Sequence, residues 1–392
     1  MKHDYDIIVA GAGPAGLSFA RLAADAGLSI LLIEKQDKKS ISHPEYDGRE
    51  IALTHLSHKI MKDCGMWQRI SEKNISKIRD AKVVNGESPY ALHFSSDGAG
   101  KENLGFMISN HLIRKAAYES AIDCKNVKLF TGLEVTTAHT NDRAAYVTLS
   151  DGKKFSCRLL VAADSRFSRL RDMMGIGAAK LDFDRLCIVS RMKIEKAHDD
   201  VAYECFHNDR TVAILPLNDD HCSIVVTADT EDGKHVMEMG EVEFAKDIAG
   251  RIDNKHGEMK LVSKRYAYPL VSVYANRFHA RRFALLGDAA VGMHPVTAHG
   301  FNFGLRGGHT LASEMIRGLK LGLDIADETI LHAYNNQHRL ATWPIYQGTN
   351  TIVKLYTDTR PFARFARGAL LRLGNKLTPA HKMIMQQLTE AN

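Results

Sequence analysis

A glycine-rich turn near the start of the chain constrains the fold more than any other feature. The apolar run Tyr5–Ala10 predicts a strand, and the residues from Pro14 to Ala26 have the spacing of a helix. A second buried strand is predicted over Ser29–Ile33 and is followed by Glu34. Because parallel strands need a crossover helix between them, this order predicts an α/β fold with a doubly wound sheet.

The turn itself has the composition of a dinucleotide-binding site. Gly11 allows a tight turn, Gly13 lets a pyrophosphate approach the backbone, and Gly16 brings the helix against the strand. The N-terminus of the helix adds free N–H groups and a partial positive charge. Glu34 follows the second strand, where a carboxylate can accept hydrogen bonds from both hydroxyls of a ribose. The motif predicts a bound dinucleotide and leaves NAD and FAD open.

A segment late in the chain returns to the same cofactor. The predicted strand Arg282–Leu286 leads into Gly287-Asp288, where an acid can hydrogen-bond the ribityl hydroxyls of a flavin. Pro295 and the turn Gly300-Phe301-Asn302 accompany a long helix predicted from about His299. The N–H groups at the start of this helix would face the flavin N1 and C2 oxygen, where the helix dipole stabilises an anionic reduced flavin. The two segments together favour FAD.

The composition predicts a soluble cytoplasmic protein. With 392 residues, of which 45% are hydrophobic and 25% charged, the chain is long enough for two lobes. No run approaches the roughly 18 uncharged apolar residues of a membrane helix, and acids near the start argue against an export signal. The six cysteines lack short paired spacings, so we expect buried thiols and no metal or disulfide framework.

The middle of the chain predicts a second lobe. Between Phe183 and Tyr274 the pattern is mainly period two, interrupted by a predicted helix over Val242–Arg251, which indicates a mostly antiparallel sheet. Since no linker is found, we expect the lobes to be interleaved in sequence. The predicted bounds are 1–72, 107–180 and 276–340 for the FAD-binding domain, 73–106 and 181–275 for the substrate domain, and 341–392 for a helical C-terminal region.

Further segments extend the pattern over essentially the whole chain: Asp47–Leu53, Ser57, Gly65–Trp67 and Ala163–Arg171. With the two glycine-rich segments, they make the sequence resemble the class A flavin-dependent aromatic hydroxylases. Within that class, the Arg49 segment, Tyr203–Leu217 and Met293–Val296 are most similar to the hydroxylases of ubiquinone biosynthesis, of the 5-demethoxyubiquinol hydroxylase type. The resemblance implies a p-hydroxybenzoate-hydroxylase-like fold, in which a glutathione-reductase-like Rossmann domain is interleaved with a mostly antiparallel substrate domain.

The resemblance also implies a role for each candidate site residue. The ADP half of FAD would be held by Gly11, Ala12, Gly13, Ala15, Gly16, Glu34 and Lys35, with Val135 near the adenine. Arg49 and Arg114 would lie against the pyrophosphate and the flavin, and Asp288 on the ribityl chain. The isoalloxazine ring would be bordered by Pro295, Gly300, Phe301 and Asn302. Asp164 matches the acidic motif of the class that is linked to both FAD and nicotinamide binding.

The sequence departs from the class at three places. Ser165 replaces the glycine that usually follows the acid, and serine resists a positive φ, so the tight backbone geometry there is in question. Ala298-His299-Gly300 replaces the usual Gly-Gln-Gly before the flavin helix. Gly307-Gly308 stands where an acid is common.

Two residues of the late segment are candidates for catalysis, Pro295 and His299. We hypothesise that His299 lies near the flavin ring and influences proton delivery, because imidazole titrates near neutral pH. The alternative is that His299 only packs or faces solvent. His294 is interpreted as a structural, hydrogen-bonded histidine.

The resemblance implies a specific reaction. NAD(P)H, bound transiently, would reduce FAD, O₂ would add to form a flavin C4a-hydroperoxide, and the distal oxygen would pass to an electron-rich ring, most specifically that of demethoxyubiquinol. Alternatives are another FAD-dependent phenol hydroxylase, a polyprenyl reductase of the same fold, or a non-catalytic flavoprotein subunit of a lipid-biosynthetic assembly. A halogenase lacks support, because only two tryptophans occur and no tryptophan-rich signature is found.

The excess positive charge is concentrated at the C-terminus. From Lys354 onward there are seven basic residues and two acids, whereas the whole chain has a net charge of +6. The wheel of this segment predicts a basic amphipathic helix that contacts an anionic membrane or a lipid carrier of the polyprenyl substrate. The alternative is a surface helix that packs on its own core. Nucleic acid is not expected as a partner, while a homo-oligomer or a biosynthetic complex stays open.

Overall fold

A computed structural model describes residues 3–85, 91–97, 100–207, 209–294 and 299–357. Pro295, Ala298 and nearly all of the basic C-terminal segment lie outside these residues, so the expectations placed on them stay predictions. Within the described residues, no helix has both the length and the apolar character to cross a bilayer.

The strands and helices follow the predicted order along the chain. The strands are β1 Tyr5–Ala10, β2 Ile30–Glu34, β3 Glu50–Leu53, β4 Ser76–Ile78, β5 Asp80–Asn85, β6 Ala91–Ser95, β7 Gly105–Ser109, β8 Val127–Thr131, β9 Val135–Thr140, β10 Ala145–Leu149, β11 Lys154–Ala162, β12 Ala178–Ile194, β13 Val201–Phe206, β14 Thr211–Pro216, β15 His221–Asp229, β16 Met259–Leu261, β17 Tyr266–Ala275, β18 His279–Ala280, β19 Phe283–Leu285 and β20 Val291–Gly292. The helices are α1 Pro14–Asp25, α2 Lys38–Ser42, α3 His55–Asp63, α4 Asn110–Ile122, α5 Arg169–Met173, α6 Thr230–Glu238, α7 Glu241–Arg251, α8 His299–Lys320 and α9 Glu328–Thr357.

The first sheet is the predicted doubly wound sheet. Its order is β18-β19-β11-β1-β2-β8, and β1 pairs in parallel with both β2 and β11. Strand β1 is buried on both faces, as its unbroken run Ile7-Ile8-Val9 requires, because helices cover a parallel sheet on each side. The carboxyl ends of β1 and β11 therefore lie side by side, which brings Gly11 next to Ala163. The predicted α/β class is confirmed.

The second sheet has the order β20-β17-β12-β15-β14-β13-β5-β6. Its pairs are antiparallel except for β5 and β13, which are parallel. One face of the sheet packs against α6 and α7, with Tyr203 and Cys205 of β13 beside Phe244 and Ile248. The opposite face is turned toward the FAD-binding half. A smaller sheet has the order β3-β7-β4, and Arg191 of β12 donates to Glu50 of its strand β3 at 2.5 Å.

One helix was not predicted. The sequence predicts a single helix near residues 242–251, whereas α6 precedes α7. Glycine within a short, strongly polar run lowers the helix signal. The structure shows why the glycine is present: a Cβ at Gly233 would lie 3.0 Å from the side chain of Leu186 on β12. The side chain of Asp229 caps α6 by accepting the N–H of Asp232 at 2.8 Å.

Candidate functional site

The first glycine turn is tightly packed at Gly11 and Gly16 and open at Gly13. Gly11 has a φ of +106°, and a Cβ there would overlap the carbonyl oxygen of Ala163. A Cβ at Gly16 would overlap the carbonyl oxygen of Gly11, so the helix approaches the strand as closely as the motif predicts. At Gly13, by contrast, a Cβ would have no neighbouring atom within 4 Å. The turn therefore leaves room at the one glycine that the motif assigns to the pyrophosphate.

Helix α1 begins at this opening. Gly13 is its N-cap, Pro14 occupies the first turn, and the first turn contains no acidic residue. The N-terminal N–H groups and the helix dipole therefore present a positive field that a carboxylate of the helix does not cancel. This arrangement suits a pyrophosphate.

Glu34 is held beside the turn by backbone hydrogen bonds. Its Oε2 accepts the N–H of Ala12 at 2.7 Å, and its Oε1 accepts the N–H of Gln36 at 2.9 Å. A carboxylate has further lone pairs, so Glu34 can still accept from ribose hydroxyls. Lys35, the next residue, has an exposed side chain.

Arg114 and Val135 lie at the same end of the site as Glu34. Nη2 of Arg114 donates to Oε1 of Gln36 at 3.2 Å. The N–H of Leu133 donates to the carbonyl of Glu34 at 3.1 Å, which places the buried Val135 just beyond it on β9. These residues are thus brought together at the predicted adenosine end of the site.

Arg49 lies elsewhere, between the FAD-binding half and the second sheet. Its Nη2 and Nε bind Oδ2 of Asp47 at 2.5 and 3.0 Å, and its guanidinium lies 5.2 Å from the ring centre of Tyr268 on β17. Asn110 donates to the same carboxylate oxygen at 2.8 Å. Burial raises the pKa of Asp47, but the hydrogen bonds and charge of Arg49 outweigh it and lower that pKa below its ordinary value. Arg49 is therefore a cation held where the segment before β3 contacts β17.

Asp288 is anchored by an arginine that the sequence analysis did not assign. Nη2 and Nε of Arg166 donate to Oδ2 of Asp288 at 2.9 and 3.2 Å. The fully buried Arg171 donates to the carbonyls of Arg166 and Ala289, both at 3.1 Å. Both arginines belong to the Ala163–Arg171 segment, but their pairing with a turn more than 100 residues later could not be read from it. This segment holds the Gly287–Asp288 turn in place.

Asp164 abuts the first glycine turn and has an unsatisfied oxygen. Its Cα would lie 3.0 Å from a Cβ at Gly11. Its Oδ1 is buried and has no hydrogen-bond partner among the described residues. Burial raises the pKa of this carboxyl, with a smaller opposing effect from Ser168. A buried acceptor without a partner costs free energy, and a donor on a bound dinucleotide would satisfy it.

Ser165 fits its position without strain. It is not among the described residues with positive φ, and its Oγ accepts the N–H of Phe167 at 3.2 Å. The question raised by the missing glycine is thereby answered: the turn does not require the left-handed region here.

The start of α8 is tied to the β3–α3 loop. Asn302 is buried, and its Oδ1 accepts the N–H of Thr54 at 3.1 Å while its Nδ2 donates to the carbonyl of Ala52 at 2.9 Å. Phe301 is partly buried and packs against the main core. A Cβ at Gly300 would lie 3.9 Å from Cβ of Met293. Asn302 therefore crosslinks the cofactor segment in addition to its predicted place beside the flavin.

Two histidines of this region are buried. The ring of His299 lies 5.3 Å from that of Phe303, so it does not face bulk solvent. The ring of His294 lies 4.9 Å from that of Phe183. Burial, aided by the charge of Arg185, lowers the pKa of His294 to about 4, so this ring is neutral at neutral pH. That state suits the structural role predicted for His294.

The early and late segments meet at Ala15. A Cβ at Gly287 would lie 3.1 Å from Cβ of Ala15, and one at Gly304 would lie 3.4 Å from it. A Cβ at Gly308 would lie 3.3 Å from Cβ of Phe19, one turn further along α1. Small residues thus let α1, α8 and the Gly287 turn approach closely. The two glycine-rich segments form one site.

The residues present fit FAD. The open Gly13 position at a helix N-terminus suits the pyrophosphate, Glu34 suits the adenosine ribose, and the anchored Asp288 lies next to Ala15 through its neighbour Gly287. The buried Oδ1 of Asp164 supplies an acceptor between them. A dinucleotide that reaches both ends of this site satisfies these groups, whereas a nicotinamide site would not need the late segment.

Comparison with known proteins identifies the family of the chain. The sequence model of the FAD binding domain family matches residues 4–349. The chain is 46% identical over 388 residues to "Ubiquinone hydroxylase UbiM" of Neisseria meningitidis, a match that covers 98% of this chain and 84% of that protein. It is 30% identical over 373 residues to "Ubiquinone hydroxylase UbiL" of Rhodospirillum rubrum, covering 94% of this chain and 86% of the relative.

A solved structure shows the same fold. The crystal structure of pqsL, a probable FAD-dependent monooxygenase from Pseudomonas aeruginosa, superposes with a TM-score of 0.78 at 17% identity and covers 92% of this chain and 98% of its own. FAD is therefore the cofactor, with NAD(P)H and O₂ as co-substrates. The chain belongs to the FAD-binding domain family and is a flavin-dependent monooxygenase of the class that contains the ubiquinone hydroxylases.

Proposed function

We propose that this chain hydroxylates the aromatic ring of a ubiquinone precursor, a polyprenylated phenol or quinol. The observation that carries the proposal is the extent of the likeness to the Neisseria ubiquinone hydroxylase. Because that likeness covers 98% of the chain, it includes both glycine-rich segments and the second sheet, to which we assign the substrate. A likeness confined to the cofactor cradle would support only a flavoprotein.

The proposed roles of the site residues follow from their positions. When bound, FAD supplies the chemistry that activates O₂ with electrons from NAD(P)H. Gly13 and the N-terminus of α1 bind the pyrophosphate, Glu34 binds the ribose, and Asp288, oriented by Arg166, binds the ribityl chain. Asn302 keeps the start of α8 against the β3–α3 loop.

The proposed domain bounds separate the residues that hold the cofactor from those that hold the substrate. Residues 1–72, 107–180 and 276–340 carry the cofactor, while 73–106 and 181–275 carry the substrate. Supporting this, β5 and β6 pair into the sheet that β12 to β15 build, far from them in sequence. The likeness to p-hydroxybenzoate-hydroxylase-type folds fits such interleaving.

We propose demethoxyubiquinol as the specific substrate. The test is to delete the gene for this chain and measure quinone intermediates by mass spectrometry. Demethoxyubiquinone is expected to accumulate, and restoring the wild-type chain is expected to remove it. Accumulation of a different precursor would move the reaction to another ring position, and an unchanged set of quinone precursors would contradict the pathway assignment.

We also propose that the basic segment from Lys354 onward brings the enzyme to an anionic membrane, where a polyprenylated ring resides. Its support is the excess of basic residues there. Flotation with anionic liposomes, with and without residues 354–392, tests it. Loss of binding in the truncated chain is expected, and equal binding of both forms would contradict the proposal.

A further inference from the structure

A single row of side chains crosses the second sheet and contains one carboxylate. Residues directly opposite each other in neighbouring strands share a face. The row consists of Leu92, Val83, Glu204, Ala213, Val225, Val189 and Tyr266, each paired with the next. Six of these side chains are apolar or aromatic. Glu204 is therefore an acid placed among hydrocarbon neighbours.

This face of the sheet is turned to the FAD-binding half. Two residues before Glu204 on the same face, Ala202 packs in one cluster with Met107 of β7. At the far end of the row, a Cβ at Gly48 would lie 2.9 Å from Cγ2 of Val189. Gly48 directly precedes Arg49, whose guanidinium lies over Tyr268 of the second sheet. Glu204 therefore lies on the sheet face between two places where the halves touch.

The carboxyl group of Glu204 has no partner in the part of the chain that the structure describes. It makes no hydrogen bond or ion pair with any described residue, although its side chain is only partly exposed. Burial alone raises its pKa to about 8. The side chain is partly exposed and lies on the face of the sheet that is turned to the FAD-binding half. A ligand that binds on this face can reach the carboxyl group.

The titratable groups around Glu204 do not titrate near neutral pH. The charge of Glu204 acts on two thiols, Cys187 on β12 and Cys205 on β13. Burial raises the pKa of each thiol to about 12. Both thiols therefore stay neutral between pH 7 and pH 9. No charged side chain contributes to the raised pKa of Glu204.

We propose that Glu204 hydrogen-bonds a ring oxygen of the bound substrate and so orients the aromatic ring on the inner face of the second sheet. The inference rests on the proposed ring hydroxylation and names the side chain that receives the ring. A protonated carboxyl both donates and accepts hydrogen bonds, whereas an ionised one only accepts. A quinone carbonyl only accepts hydrogen bonds. It therefore pairs with Glu204 only when the Glu204 carboxyl is protonated.

A tail-less benzoquinone distinguishes these states, because its ring oxygens have no proton to donate. Its dissociation constant is measured by equilibrium dialysis against the FAD-loaded protein, without NAD(P)H. For wild type we expect the constant to rise about ten-fold between pH 7 and pH 9, as Glu204 ionises. Glu204→Gln keeps a donor, so its affinity is expected not to change with pH. Glu204→Leu is expected to bind about three- to ten-fold more weakly at pH 7.

Cys205→Ala provides the matched control, because it changes the next residue of the same strand on the opposite face. It is expected to keep the wild-type affinity and pH dependence. All three variants are expected to bind FAD like wild type, which shows that they fold.

Two outcomes separate this inference from the proposed function. If wild type binds and hydroxylates a ubiquinone-type ring, but Glu204→Leu binds the quinone equally well or wild-type affinity does not change with pH, the role of Glu204 is overturned and the hydroxylation stands. If wild type neither binds nor hydroxylates such a ring, the proposed function fails and the role of Glu204 fails with it.

Discussion

Two glycines of the first turn, three residues apart, have opposite surroundings. Gly13 has a φ of −73° and open space where a side chain would project, whereas a methyl group at Gly16 would overlap a backbone oxygen of Gly11. Gly13→Ala is therefore expected to fold normally but to weaken FAD binding by about ten-fold or more, about 1.4 kcal/mol, because the methyl group occupies the pyrophosphate position.

Gly16→Ala is the matched control for this substitution. A rigid backbone atom cannot yield as a side chain can, so we expect the free energy of unfolding of the FAD-free protein to fall by about 1–3 kcal/mol. Urea unfolding and FAD fluorescence titration measure the two effects. If both variants lost stability equally and Gly13→Ala bound FAD normally, the open position at Gly13 would not be the pyrophosphate site.

His299 is the residue-scale test of this chain's departure from its class. It replaces a glutamine, is buried and lies against Phe303 at the start of α8. If it influences proton delivery near the flavin, His299→Gln is expected to release more peroxide and form less hydroxylated product for each NAD(P)H oxidised. Unchanged hydroxylation with unchanged peroxide release would show that His299 only packs.

The packing of α8 against α9 explains why Gly307-Gly308 stands where the class commonly has an acid. It also predicts that the free energy of unfolding depends on pH. A Cβ at Gly307 would lie 3.0 Å from Nε2 of His338 on α9, so a larger residue would push against this ring. Burial, with a smaller effect of Arg306, lowers the pKa of His338 from 6.5 to about 3. The unfolded chain therefore binds a proton that the folded chain excludes.

The sign of the effect follows from that difference. The contribution of neutral His338 to the free energy of unfolding is complete above pH 6.5. It is lost as the pH falls toward 3, by up to about 1.4 kcal/mol for each pH unit. His338→Phe is expected to make the free energy of unfolding less sensitive to pH between 6 and 4, as measured by urea unfolding. His43→Phe, at an exposed histidine, is the control. Equal pH dependence in wild type and His338→Phe would contradict the assignment.

The elements that carry local signals could be predicted from the sequence. The strand Tyr5–Ala10 has its predicted bounds, because an apolar run followed by glycines needs no distant information. The helix α6 could not be predicted, because its glycine is explained only by packing on Leu186. Likewise, the sequence shows that Gly307-Gly308 replaces an acid common in the class, but the contact of Gly307 with His338 that explains it is seen only in the structure.

At the scale of the whole molecule, the site depends on contacts between distant segments. The cofactor motif predicts Gly11, Gly13 and Glu34, but the pairing of Arg166 with Asp288 arises only from the tertiary fold. Period-two alternation likewise predicts strands without showing which face is inner, so Glu204 could not be singled out. The fold class and the glycine turns to which FAD binding is assigned were therefore accessible from the sequence, whereas the inner face of the second sheet was not.

The central claim is that both halves act together to place oxygen on an aromatic ring. The most direct measurement supplies the FAD-loaded protein with NAD(P)H, a short-tailed demethoxyubiquinol and ¹⁸O₂, and follows the product by mass spectrometry. We predict that oxidation of NAD(P)H accelerates with the substrate and that each product ring gains one ¹⁸O atom, while the second atom leaves as water. Oxidation of NAD(P)H that yields only peroxide, with no labelled ring, would contradict the account.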